Sequence, residues 1–113
     1  MAGTVVAAWS IATEEEIQMA KFLLVHPVGT QDVAQFTEQA TPFARAVKAN
    51  VTPDAYWIRA WYAQEEGKLY CEWDAKDAES IRKVVDAAVK ATFELPTEGI
   101  YEIAMEVDSE DFR

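Results

Sequence analysis

The chain has 113 residues, half of them hydrophobic, and a formal charge of -10 from 20 acidic and 10 basic side chains. That length supports one domain with a single core and is too short for two. The charge balance repels phosphate backbones and anionic lipid, which argues against nucleic acid or a membrane surface as a partner.

Residues 1–18 read as an arm outside the core fold. Val5 to Ile11 is a short apolar run, and Thr13-Glu14-Glu15-Glu16 resembles a capping box opening a helical turn. The arm lacks the basic region of a signal peptide. No apolar run approaches the roughly 18 residues of a membrane span. Cys71 is the single cysteine, which excludes an intrachain disulfide and fits a reducing compartment. A cytoplasmic protein is expected.

A domain over residues 19–107 follows. Lys21 to His26 forms a short, nearly continuous apolar strand closed by Pro27. Thr30 can cap a helix in which Val33, Phe36, Ala40, Phe43, Ala44 and Val47 recur at helical spacing. Pro42 falls inside that pattern and predicts one bent helix, because it removes a backbone bond. Ala55 to Asp74 then reads as a hairpin turning on Gln64-Glu65-Glu66-Gly67.

Pairing Ala63 with Lys68 across that turn sets the hairpin register. Tyr62 then faces Leu69, Ala60 faces Cys71 and Ile58 faces Trp73, all toward the core. On the other face Trp61 meets Tyr70 and Arg59 meets Glu72. Asp74 can cap a second helix, with Asp77 in its first turn and a buried stripe of Ile81, Val84, Val85, Ala88 and Thr92. A last strand spans Ile100 to Val107, alternating Tyr101, Ile103, Met105 and Val107 with Glu102, Ala104 and Glu106. Residues 108–113 form an acidic tail that reads as solubilising.

The order strand, helix, strand, strand, helix, strand predicts an α+β, ferredoxin-like βαββαβ fold with a four-stranded antiparallel sheet. Both helices would cover one side and leave the other open. The expected open face carries Phe22, Leu24, His26, Trp57, Arg59, Trp61, Tyr70, Glu72, Glu102, Ala104 and Glu106. Such a surface is too apolar for water. Two copies stacked sheet to sheet would hide it, giving a homodimeric α+β barrel.

The run WIRAWYAQEEGKLYCEWDAKDAESIRKVVDAA and the later LPTEGIYEI resemble the small bacterial nickel-binding-like ferredoxin-fold family, largely of unknown function. The shared pattern is a tryptophan-hydrophobic-arginine strand, a gly-lys turn, a tyrosine-cysteine strand and an acid-alanine-x-aspartate helix start. The resemblance spans about residues 19 to 107 and is weakest at the start. There His26 and Pro27 stand where the family often has a glutamate followed by an arginine. It implies a homodimer and binding of a divalent metal such as nickel.

His26, the sole histidine, reads either as a polar strand end or as a metal ligand or proton carrier. Glu72 and Glu102 on the same face could add oxygens to it. Nitrogen plus carboxylate suits nickel, zinc, cobalt, manganese or iron without choosing among them. Arg59 and Glu72 are a cross-strand ion pair, or Arg59 holds an anionic ligand group. Trp57, Trp61 and Tyr70 are dimer packing or ligand walls. Cys71 reads as an inert buried thiol, with no cation beside it.

Three functions fit these residues. The first is a homodimer binding a divalent metal (nickel or zinc) or a small ligand at the open face. The second is a cofactor-independent enzyme acting on a small aromatic or polyketide-like substrate in the barrel cavity, an analogy from fold alone. The third is a structural or regulatory dimer.

Overall fold

A computed structural model describes residues 19–112. Its elements are β1 (Ala20–Pro27), α1 (Val33–Asn50), β2 (Ala55–Ala63), β3 (Lys68–Ala75), α2 (Ala78–Ala91), β4 (Gly99–Glu102) and a terminal 3-10 turn (Ser109–Phe112). The expected arm over residues 1–18 lies outside the described residues.

The strands form one antiparallel sheet in the order β2-β3-β1-β4. With two helices on one side, this is the ferredoxin-like arrangement expected from the element order. Both helices begin at aspartates: Asp32 accepts from the Gln35 amide at 3.2 Å, and Asp77 accepts from the Ser80 amide at 2.8 Å. These caps replace the expected Thr30 and Asp74. A carboxylate two or three residues nearer the helix reaches the free amides of the first turn. The Ser80 hydroxyl and amide also hold the Asp77 carboxyl below its usual range. Helix α1 continues through Pro42 without a break.

The core lies between the sheet and the helices. Leu24, Trp73 and Ile81 are essentially inaccessible and meet Phe43, Val47, Val84, Val85 and Ala88 there. Each fully buried aliphatic side chain of this kind contributes about 1.5–3 kcal/mol. Helix α2 packs closely against β2, β3 and β4, whereas α1 leans on α2 and stands farther from the strands. That stand-off leaves space under α1.

Strand register corrects two expectations about faces. In β1, Phe22 pairs with Trp73 and Leu24 with Cys71, so Phe22, Leu24 and His26 face the helices. Their neighbours Lys21, Leu23 and Val25 face the open side. KFLLVH is apolar at nearly every position, so alternation alone does not select a face, and a one-residue slip inverts all of them. The last strand is also shorter than expected, ending at Glu102. Within it Glu102 pairs with Phe22 and Ile100 with Leu24, on the helix side, while Tyr101 pairs with Leu23 on the open side.

The hairpin keeps its expected register from Arg59–Glu72 through Ala60–Cys71, Trp61–Tyr70 and Tyr62–Leu69 to Ala63–Lys68. Below Arg59 a β-bulge intervenes, and Trp57 rather than Ile58 lies opposite Trp73. Trp57 therefore belongs to the helix side, not the open face.

Candidate functional site

Two regions carry chemistry, one on each side of the sheet. On the open side, Lys21, Arg59, Glu72 and Glu106 form a linked set of charges. Glu72 Oε2 lies 2.7 Å from Lys21 Nζ, and Glu72 Oε1 lies 3.1 Å from Arg59 Nε. Glu106 Oε1 is 3.2 Å from the same Lys21 nitrogen. The hydrogen bonds that the Lys21 ammonium donates to the Glu72 and Glu106 carboxylates raise its pKa above the ordinary value. The Ile103 amide donates to the Lys21 carbonyl at 2.8 Å, which brings the segment bearing Glu106 alongside β1.

These charges border a shallow hollow of about 440 Å³ whose other walls include Leu23, Trp61, Ile103 and Met105. Trp61, Tyr101 and Met105 are 51%, 49% and 77% exposed, a large apolar share for a sheet face in water. Tyr101 folds back so far that a Cβ on Gly99 would enter its ring. Tyr70, also on this face, donates its hydroxyl to the Glu66 carboxylate, which raises the phenol pKa.

On the helix side, a cavity of about 390 Å³ lies between the sheet and α1. His26, Trp57, Leu69, Cys71 and Trp73 come from the sheet, and Phe36, Ala40, Phe43 and Val47 from α1. His26 is 1% exposed; its Nδ1 lies 3.1 Å from the Pro96 carbonyl and 3.3 Å from Thr97 Oγ1, and its ring meets Phe43 edge-on. Burial lowers its pKa, only partly opposed by the Pro96 bond. Cys71 is buried opposite Ala60, as expected, and desolvation pushes its thiol up to about 12. That holds it protonated and unreactive.

The sequence-predicted residues thus divide between sites. Arg59, Trp61, Tyr70 and Glu72 share the open face. His26 and Trp57 line the opposite cavity, and Glu102 sits exposed at the end of β4 on the helix side. His26, Glu72 and Glu102 do not converge within one chain. Among the described residues no three His, Cys, Asp or Glu side chains form a group able to hold a metal ion. One residue was missed: Lys21, which gathers Glu72 with Glu106. The signal was present, because a lysine in phase with Leu23 and Val25 marks the strand face that reaches water.

The architecture defines a small ferredoxin-like α+β protein. A family model described as nickel responsive protein SCO4226-like matches residues 22–103, and the chain belongs to that family. A solved structure, that of SCO4226 from Streptomyces coelicolor A3(2), is similar with a TM-score of 0.57 and 19% identity. The match covers 78% of this chain and 100% of that one, and it supports the shared fold. No curated protein matches the chain.

Proposed function

We propose that the chain is a divalent-metal-responsive protein, with nickel as the metal, acting as two identical copies joined through the open sheet face. The observation that carries this reading is the convergence of Glu72 and Glu106 on one positive centre. That centre is the Lys21 ammonium, a cation standing where a metal ion of the same sign would be attracted. Displacing the lysine side chain, which is partly exposed, would free Glu106 Oε1 and Glu72 Oε2, while Glu72 Oε1 stays on Arg59.

Two carboxylates do not saturate a transition-metal ion. A second copy related by a two-fold axis would bring the same pair to a shared site. It would also cover Trp61, Tyr101 and Met105. Carboxylate donors accept nickel, zinc, cobalt or manganese alike, so the choice of nickel follows the family description. His26 is left out of this donor set because it lies beneath the sheet with Nδ1 already bonded.

Nickel titration by calorimetry on the wild type, Glu72→Gln and Glu106→Gln tests the reading. Each variant is expected to bind nickel at least about tenfold more weakly, the loss expected for one charged ligand. Equal affinities across all three proteins would remove these carboxylates from the site.

A further inference from the structure

The cavity under α1 is a second site, independent of the metal reading and on the other side of the sheet. Its volume of about 390 Å³ lies in the range of small-molecule pockets. Phe36, Phe43, Trp57 and Trp73 make most of its walls apolar and aromatic. No lysine or arginine lines it, and the charged residue present is Glu94, which is solvent-exposed. An anion therefore gains no partner there and would leave its hydration behind.

Two buried polar groups give the cavity chemical direction. The Pro96 carbonyl can only accept, so the proton on His26 sits at Nδ1. The imidazole is neutral, because burial disfavours its charged form. Nε2 then carries a lone pair, and it makes no hydrogen bond with the described residues. Trp73 supplies the second group. It is 1% exposed, it lines the same cavity, and its indole N–H has no hydrogen-bond partner. Buried polar atoms are nearly always satisfied, so the unmet Trp73 donor marks a place for a partner, and the His26 Nε2 lone pair offers an acceptor at a separate point of the same cavity wall.

We propose that this cavity binds a neutral hydroxyl-bearing aromatic molecule of one or two rings, its hydroxyl donating to His26 Nε2 and its rings lying among Phe36, Phe43 and Trp57. His26 and Trp73 sit on one sheet face, His26 paired with Leu69 four residues along β3 from Trp73. At about 3.3 Å per residue their backbones are roughly 13 Å apart. A ligand carrying an acceptor at its far end would satisfy both, and one with a hydroxyl alone satisfies His26.

The test is calorimetric binding of three probes at neutral pH: 2-naphthol, 2-methoxynaphthalene and 2-naphthoate. The wild type is expected to prefer 2-naphthol to each of the others by about tenfold, the size of one buried hydrogen bond. His26→Phe is expected to bind 2-naphthol and its methyl ether equally. Ala40→Phe, which fills the cavity from α1, is expected to bind none. A wild type that binds no probe, or that binds 2-naphthol no better than its ether, overturns the proposal without recourse to variants. So does undiminished binding to Ala40→Phe.

Discussion

Trp57 lies directly opposite Trp73 across β2 and β3, although counting back from the Arg59–Glu72 pair puts Ile58 at that position. One extra residue in β2 separates the two registers. The Trp57 indole N–H spans the irregularity, donating to the Arg59 carbonyl at 3.1 Å. The side chain that the bulge redirects thus also ties the bulge together. Replacing Trp57 by Phe retains a ring at the cavity wall and removes this bond. Urea unfolding is expected to show a loss of about 0.5–1.5 kcal/mol. No loss would mean that the indole bond does not hold the bulge.

The β2–β3 turn is locked onto the β1–α1 loop through Gly67. Its carbonyl accepts from the Val28 and Gly29 amides, both at 2.9 Å. Its φ is +71°, and an added Cβ would approach the Gly29 carbonyl carbon to 2.9 Å. Both effects penalise any side chain. Gly67→Ala is expected to destabilise by about 1–3 kcal/mol in denaturant unfolding, and a neutral result would contradict the backbone packing described.

Tyr62 secures the same loop from the sheet. Its hydroxyl accepts from the Gln31 amide at 2.8 Å and donates to the Gly29 carbonyl at 2.7 Å, while its ring stacks on Phe36 at 4.2 Å. Tyr62→Phe keeps the stacking and loses both bonds. The expected cost is about 1–3 kcal/mol, with faster amide exchange at Gln31 as the local readout.

His26 makes stability depend on pH. Its folded pKa is depressed by burial below the ordinary 6.5, so the unfolded chain takes up the proton first. Its contribution is complete above that ordinary value and is lost as pH falls from there toward the folded pKa. The expected outcome is a wild type whose unfolding midpoint drops between pH 7 and pH 5.5 more steeply than that of His26→Phe. Parallel profiles for the two proteins would show that the imidazole is not buried as described.

Much of this architecture was legible in the sequence, and the failures have local causes. The hairpin between Arg59 and Glu72 was readable because its turn is short and pairing Ala63 with Lys68 across it fixes every pair back to those two residues. The stripes Phe36–Phe43–Val47 and Ile81–Val84–Val85–Ala88 were readable because helical spacing has few alternatives. The face of β1 was not, since Phe22 to Val25 are all apolar and only Lys21 breaks the tie. The bulge at Ile58 left no mark in composition. That one insertion, together with the inverted phase of β1, moved Trp57 and His26 beneath the sheet. The cavity under α1 depends on how far a helix stands from its sheet, a distance set by packing among many side chains and by no single motif.

Residues 108–113 were expected as an acidic tail, and residues 103–107 as the end of the last strand. The tail contains a 3-10 turn at Ser109–Phe112, and the segment between β4 and that turn continues alongside β1 and delivers Glu106 to Lys21. Truncating the chain after Val107 is expected to leave nickel binding within about twofold, because Glu106 is retained; each donor that matters should cost about tenfold. A larger loss would assign a ligand to Asp108, Glu110 or Asp111.

The proposed dimer lays a second copy of the chain over the open sheet face. Light-scattering mass of the wild type and of Trp61→Glu, each with and without nickel, tests it most directly. Twice the mass of one chain is expected for the wild type and a single-chain mass for the variant, whose new carboxylate would be buried at the interface. A wild type that remains a single chain in both conditions, with Trp61 fluorescing as a hydrated indole, would contradict it.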